Sequence, residues 1–269
     1  MKGLILHTGA HDATREQVAA VATPAAEGIW HPIPHLTIRD LVAEQVTANG
    51  LVVKEEAYGL WKDGLRAFGL LGLGNGDNHE DFRMVLGWRN SHDKSFPAAG
   101  ALGSHVFVCD NLAFSGEVTF ARKHTINVMR DLPGLVVEAV GRLLGARNLQ
   151  EERIAAYKEY ALTNERAHDI VIQSLDTRII GATRIPQVLA QWRHPQHDDF
   201  TPRTVWSLFN AYTENLKGMS LFELPRRTTR LHGLMDQVVG IEAKVGPIGD
   251  AVQGPDYEIV DEGPKKAEE

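Results

Sequence analysis

The 269-residue sequence has a single cysteine and lacks any long apolar run, and each absence excludes a class of protein. One cysteine cannot form an internal disulfide bond, which is typical of a protein from a reducing cytoplasm. No apolar stretch approaches the roughly 18 residues that a membrane-spanning helix needs. The opening string MKGLILHTGAHD has too short an apolar patch for a signal peptide. We therefore expect a cytoplasmic protein without a membrane partner.

The common catalytic and metal-binding signatures are also absent. The chain contains no CxxC, HExxH or G-x-S-x-G string, so it offers no recognisable structural zinc site or nucleophile elbow. The Gly-rich segment 71–78 lacks the Lys-Ser/Thr of a phosphate-binding loop, and it predicts a hairpin turn between two strands. These absences leave no single reaction identified.

The net charge of −7 is unevenly distributed along the chain. Residues 242–269 hold eight acids and three lysines, so the rest of the chain has a net charge of only −2. Two segments are basic: residues 81–130 hold six Lys or Arg against four acids, and residues 183–232 hold seven against four. A nearly neutral body with basic segments permits nucleic-acid binding, and the acidic composition of 241–269 predicts a disordered tail.

Hydrophobic periodicity predicts one α+β domain over 36–240, preceded by an irregular N-terminal arm over 1–35. A helix is predicted at 36–50, with Thr37 and Asp40 as a capping box. An antiparallel meander of about five strands follows, because the connections are too short for parallel crossovers. The predicted strands are 51–58, 65–73, 82–88, 105–109 and 117–124. A C-terminal set of helices begins near Leu132 and is expected to cover one face of the sheet.

The candidate site lies between Leu86 and Thr125, where polar and basic residues adjoin apolar strands. If strands 82–88 and 117–124 share a sheet, their basic ends come together beside Trp88, Phe96 and Phe120. Phosphate contacts combined with stacking surfaces are typical of single-stranded DNA binding. The predicted nucleic-acid-binding residues are Arg89, Asn90, Lys94, Arg122, Lys123 and His124. The alternative interpretation of this charge is a solvated face without a ligand.

A second interpretation is a metal-dependent enzyme. His92, Asp93 and Asp110 are its candidate catalytic residues, and His194, His197 and Asp198 are its candidate ligands for a divalent metal. Adjacent residues seldom form a catalytic set, so 89–95 is also explained by a structural turn. The string 194–199 is explained more simply by a solvated loop in which Asp198 or Asp199 caps a helix starting near Pro202. No cofactor is expected under the DNA-binding interpretation.

Several long strings of the sequence are distinctive, and they are WHPIPH (30–35), RNSHDKS (89–95), VFVCDNLAFSG (106–116), ARKHT (121–125), RIPQVLAQWRHPQHDDF (184–200) and TVWSLFNAYTENLKG (204–218). Together they resemble a family of uncharacterised proteins carried by phages, prophages and plasmids. The family is one of domains of unknown function, so the resemblance implies a mobile-element context and no particular reaction.

The order of elements is also similar to that of the single-strand annealing proteins of phage recombination. That similarity implies a homo-oligomer that binds single-stranded DNA and assists annealing, recombination or replication. The alternatives are a metal-dependent nuclease or phosphoesterase, and a non-catalytic protein of host interaction or anti-defence.

Overall fold

The computed structural model describes residues 10–74, 82–106, 111–219 and 223–241, and one antiparallel sheet lies at its centre. Six strands lie side by side in chain order. They are β1 (His11–Ala13), β2 (Val52–Trp61), β3 (Arg66–Gly74), β4 (Phe82–Ser91), β5 (Ala98–Val106) and β6 (Asn111–Arg122). The predicted α+β class and antiparallel meander are confirmed.

Eight α-helices occur in the described part of the chain. They are α1 (Arg15–Ala19), α2 (His35–Ala48), α3 (Val128–Gly141), α4 (Leu143–Glu159), α5 (Asn164–Asp176), α6 (Ile185–Arg193), α7 (Val205–Leu216) and α8 (Glu223–Val239). The amphipathic pattern predicted for α2 is present, because Ile38, Val42 and Val46 form one fully buried stripe. Within the described ranges, none of these helices combines the length and the apolar character needed to cross a bilayer.

The helices cover both faces of the sheet, whereas the sequence analysis expected them on one face. Arg89 and Asn90 are neighbours on β4, so their side chains point to opposite faces. Asn90 hydrogen-bonds to His35 of α2, and Arg89 lies close enough to Arg226 of α8 for their charges to interact. Helix α3 contacts α2 and β6, while α4 and α7 contact α8 and β6. The sheet is therefore the middle layer of three.

Aromatic residues and glycines alternate across five strands on the face covered by α2. The register places Tyr58 opposite Gly69, and Gly69 opposite Trp88. It continues with Trp88 opposite Gly100, and Gly100 opposite Phe120. A Cβ atom at Gly69 would lie 2.4 Å from the Trp88 ring, and one at Gly100 would lie 2.5 Å from the Phe120 ring. The large rings thus lie over the glycines of the neighbouring strands.

The arm predicted as irregular contributes two short elements to the fold. Strand β1 pairs antiparallel with β2 and forms one edge of the sheet. Helix α1 begins after Thr14, whose hydroxyl accepts a hydrogen bond from the Gln17 backbone in a capping box. Elements of three and five residues are too short for periodicity to reveal.

Three predicted starts are wrong, and one is that of β6, which begins at Asn111 and not at residue 117. Helix α2 begins at His35 after Pro34, so Thr37 lies inside the first turn, and no side chain of the described residues caps the helix. Strand β5 begins at Ala98 and not at His105. Its first residues, AAGALG, are small and lack β-branched or aromatic side chains, so composition alone does not indicate a strand. Phe120 of β6 supplies the missing bulk over Gly100.

A buried ion pair joins α4 to α8. Arg153 donates through Nε and Nη2 to the two carboxylate oxygens of Asp236, each at 2.8 Å. The Tyr157 hydroxyl donates to the same carboxylate at 2.6 Å. The two charged side chains are 1% and 0% exposed, and removing either one would leave a buried, uncompensated charge. This bidentate contact defines how α8 docks on α4.

Candidate functional site

The polar motif that follows the apolar half of β4 lies inside the protein, with Asn90 at its centre. Asn90 is fully buried. Its Nδ2 donates to the Ile33 carbonyl at 2.9 Å and to Nδ1 of His35 at 3.0 Å. Its Oδ1 accepts from Nε2 of His124 at 2.6 Å. One amide therefore joins the arm, helix α2, strand β4 and the residue two places beyond β6.

Two histidine rings stack beside this amide. The rings of His35 and His92 are parallel to within 11°, with their centroids 3.8 Å apart. Because His35 accepts through Nδ1, its proton is on Nε2, which donates to the Gly64 carbonyl at 2.9 Å. Nε2 of His92 donates to the Ile33 carbonyl at 2.9 Å. The opposite nitrogen, Nδ1 of His92, is buried and has no hydrogen-bond partner among the described residues.

The three histidines are neutral at pH 7. Burial, helped by the other histidines of the cluster, lowers the pKa of His35 to about 4 against the hydrogen bond to Gly64. Burial and His92 lower the pKa of His124 to about 4. Burial also lowers the pKa of His92, partly offset by the Ile33 carbonyl and Asp93. Since each Nε2 already donates a hydrogen bond, metal binding through these atoms would break the cluster.

The hydrogen bonds of residues 91–96 form a turn and not a catalytic triad. Asp93 accepts from Nε of Arg66 at 2.6 Å, and from the Ser95 backbone N–H at 3.1 Å and the Ser95 hydroxyl. Ser91 donates to the Phe96 carbonyl at 2.7 Å and accepts from the Phe96 N–H at 3.2 Å. His92 therefore has neither Asp93 nor a serine as its partner here. The third candidate, Asp110, lies outside the described residues.

The candidate metal ligands do not converge in the described structure. His194 follows α6 and is exposed, as is Asp198, while His197 is partly buried against the Phe200 ring. Asp198 and Asp199 lie in a 3₁₀ turn, and Thr204, not an aspartate, caps α7. Across residues 10–74, 82–106, 111–219 and 223–241, no three His, Cys, Asp or Glu side chains are grouped so that they could hold a metal ion.

The predicted nucleic-acid-binding residues are separated by burial. Arg89 is 9% exposed, Asn90 0% and His124 6%, so these three side chains are interior groups. The other three lie nearer the surface. Lys94 pairs with Glu27 at 2.6 Å, Arg122 pairs with Asp131 at 2.6 Å, and Lys123 is exposed. The six residues thus do not form one continuous surface.

A second group of basic residues, which shares Arg89 with the predicted set, comes together on the sheet face opposite Asn90. We call it the arginine row, and it comprises Arg89, Arg178, Arg226, Arg227 and Arg230. Arg89 lies two residues before the end of β4, Arg178 follows α5, and the others lie in the first half of α8. Arg230 donates to the Arg178 carbonyl at 3.4 Å. Arg227 donates to the Ile179 carbonyl at 3.1 Å and pairs with Glu223 at 3.0 Å.

The guanidinium groups of the arginine row act on one another. Burial first, and then the charge of Arg226, lower the pKa of Arg89 to about 10. Burial, Arg178, Arg226 and Arg227 lower the pKa of Arg230. Arg178 and Arg230 are the two exposed members of the row. Mutual repulsion of this kind is relieved when an anion binds between the groups.

The sequence predicted only Arg89 of this row as a site residue, and it did not place the five arginines together. Arg89 lies in the basic segment 81–130, whereas Arg226, Arg227 and Arg230 lie in the basic segment 183–232. Only the fold brings these arginines close enough for their charges to interact. Arg226 and Arg230 are four residues apart on a helix and therefore share a face, which is a signal that the sequence does contain. Arg178 lies outside both segments and occupies a turn with a left-handed φ of 54°, and no sequence signal indicated it.

The comparison with known proteins adds the family. Residues 28–237 match the domain of unknown function DUF932. No curated protein and no solved structure matches the chain. The matched range contains Asn90, the histidines around it (His35, His92 and His124) and all the residues of the arginine row. The chain therefore belongs to the DUF932 family of domains.

Proposed function

We propose that this protein binds single-stranded DNA through the backbone phosphates, using the arginine row. The observation that supports the proposal is the gathering of five guanidinium groups from β4, the turn after α5 and the start of α8, of which Arg89 is buried and the other four lie nearer the surface. Each guanidinium has five N–H donors in a planar fork that fits phosphate oxygens. Arg227 and Arg230 each use a donor on a backbone carbonyl, which holds the groups in place and leaves further donors for a ligand.

The contacts proposed here are to phosphates and not to bases. Trp88, Phe96 and Phe120, which the sequence offered as stacking surfaces, are 1%, 5% and 5% exposed. Phe96 instead lies under the guanidinium of Arg89, whose Cζ is 5.3 Å from the ring centroid. Such a surface does not distinguish one base from another, and its affinity depends on salt. This behaviour suits a protein that assists annealing or replication of a mobile element.

The alternative of a metal-dependent nuclease or phosphoesterase has no comparable support. It required a group of His and Asp ligands, and the described residues contain no such group. The alternative of a host-interaction protein has no observation in its favour either. We therefore retain single-stranded DNA binding as the proposal.

The proposal is tested by removing the exposed end of the row. Arg178→Ala combined with Arg230→Ala is expected to weaken binding of a labelled single-stranded oligonucleotide about tenfold, because two phosphate contacts are lost. Fluorescence anisotropy at low salt measures the dissociation constant. Both side chains are exposed, so the thermal midpoint of the double variant is expected to remain close to that of the wild type.

The matched control removes the same charge elsewhere. Arg142→Ala with Arg166→Ala also deletes two exposed arginines and is expected to leave affinity nearly unchanged. Lys123→Ala separately tests the surface that the sequence suggested. The proposal fails if the wild type does not bind the oligonucleotide at low salt, or if the control loses as much affinity as the row variant.

A further inference from the structure

The outer face of α3 is apolar along one stripe. The buried side of this helix is formed by Leu132, Val136 and Val140, which are at most 1% exposed. Next to that stripe, Met129 and Val137 are each 49% exposed, and Pro133 lies between them one turn from each. Aliphatic side chains spaced in this way along the solvent side of a helix form a strip that can pack against another helix.

A glycine lies at the middle of the same outer face. Gly134 is exposed and has an ordinary helical backbone, and a Cβ atom added to it would have no atom within 4 Å. Glycine in a helix interior is less stable than alanine there. The described part of the chain therefore contains no steric reason for a glycine at this position. Close approach of a second backbone is one such reason, because a glycine brings helix axes nearer together.

Opposite charges flank the glycine at equal distances. Arg130 is one turn before Gly134 and Glu138 is one turn after it, and each of the two charged side chains is 70% exposed. Arg130 contacts Asp131, and Glu138 lies 4.0 Å from Arg142. An antiparallel copy of α3, related by a two-fold axis at Gly134, would place its Glu138 opposite Arg130 and its Arg130 opposite Glu138. The face is thus complementary to itself in charge as well as in shape.

Two exposed isoleucines pair across a backbone bridge close to the start of α3. The backbone bridge between Trp30 and Thr125 brings Ile29 and Ile126 side by side, and they are 84% and 72% exposed. Exposed apolar residues are common singly, but a contiguous group marks an interaction surface. These two side chains enlarge the area that a second copy would cover.

We propose that this face of α3, comprising Met129, Arg130, Pro133, Gly134, Val137 and Glu138, binds the same face of a second copy of this chain. The two helices run antiparallel about a two-fold axis at Gly134. The proposal rests on α3 and is independent of DNA binding, which uses the arginine row on the other side of the sheet. A contact of about 20 Å of helix is small for an interface, so the dimer dissociates on dilution.

Reversal and restoration of the charges test the proposal on the full chain. Arg130→Glu and, separately, Glu138→Arg are each expected to raise the dimer dissociation constant at least about tenfold, because a two-fold interface contains every contact twice. The double variant with both substitutions is expected to restore dimerisation. Sedimentation velocity over a range of protein concentrations measures all four proteins, and Arg166→Glu is the matched charge reversal away from α3.

Gly134→Ala gives a second readout that a merely structural role would not produce. Alanine favours the helix, so the thermal midpoint of the dilute protein is expected to rise, while the added methyl group weakens dimerisation. The proposal is overturned if the wild type stays monomeric at the highest concentration measured. It is also overturned if Arg130→Glu dimerises like the wild type, or if the charge-swapped double variant stays as weak as the single variants.

Discussion

Asn90 is buried where four segments of the chain meet, and both ends of its amide are used. Its donors bind Ile33 and His35, and its acceptor binds His124. A buried amide with satisfied donors and acceptors holds its neighbours in one arrangement, because each lost hydrogen bond would leave a desolvated group. The motif RNSHDKS therefore resembles a catalytic string by composition, while its asparagine and histidine act here in packing.

The neutral histidines of this cluster predict how stability depends on pH. Their folded-state pKa values lie below the ordinary value of 6.5, so the unfolded chain binds more protons between about pH 4 and pH 6.5. The stability that these neutral histidines contribute is fully present above pH 6.5 and is lost as the pH falls towards 4. When the pH is lowered from about 7.5 to 5.5, we expect the free energy of unfolding to fall by about 1 kcal/mol for each of His35 and His124. Urea unfolding at the two pH values measures this loss.

His124→Gln isolates the contribution of one histidine. A glutamine amide can still donate to Asn90 but does not titrate, so the variant is expected to lose about 1 kcal/mol less than the wild type over the same pH interval. His194→Gln, at an exposed position, serves as the control and should follow the wild type. Equal pH dependence in the wild type and His124→Gln would contradict the assignment of a buried neutral histidine.

At the scale of elements, the sheet depends on rings that cover glycines. Strands β3 and β5 are rich in glycine and small residues, which weaken a strand by propensity. Trp88 lies over Gly69 and Phe120 lies over Gly100, so the side-chain area missing at these two glycines is supplied by the neighbouring strands. A sheet whose strands have low propensity by composition is thus stabilised by cross-strand pairs.

Gly69→Ala is expected to destabilise the protein by about 2–3 kcal/mol, because the new methyl group overlaps a packed ring. The Cβ would lie 2.4 Å from Trp88, which is only 1% exposed and cannot move aside without disturbing the core. Chemical denaturation of the purified variant measures the change in the free energy of unfolding.

Gly181→Ala provides the comparison for the glycine pairing. Gly181 has a φ of −90°, and a Cβ there would have no atom within 4 Å, so alanine should change stability by no more than about 0.5 kcal/mol. If Gly69→Ala were as mild as Gly181→Ala, the ring at Trp88 would not be pressed against the strand as described.

At the scale of the whole molecule, the features that depend on residues close in sequence were predicted, and the features that depend on how the elements pack together were not. Strand alternation, the apolar stripe of α2 and the short connections depend on nearby residues, so the α+β class and meander followed from them. Helices on both faces did not, because no pattern within a helix states which face of a sheet it covers. The arginine row was missed for the same reason, since Arg89 and Arg226 are 137 positions apart in the chain.

The two proposed surfaces lie on different layers of the molecule. The arginine row lies on the α8 side of the sheet, whereas α3 lies on the α2 side. A dimer through α3 would leave both rows uncovered, and two rows on one strand would bind more tightly than one through the increased effective concentration. The fraction of a long oligonucleotide that is bound is therefore expected to rise with protein concentration more steeply than the bound fraction of a short one.

The salt dependence of single-stranded DNA binding tests the central claim most directly. Log affinity for the wild type should fall linearly with log salt, by about 0.7 for each phosphate contact made by the row. Removing Arg178 and Arg230 together should reduce the slope by about 1.4, since two contacts are lost. A wild-type affinity that ignores salt, or a slope that is the same in the wild type and the double variant, would contradict the account.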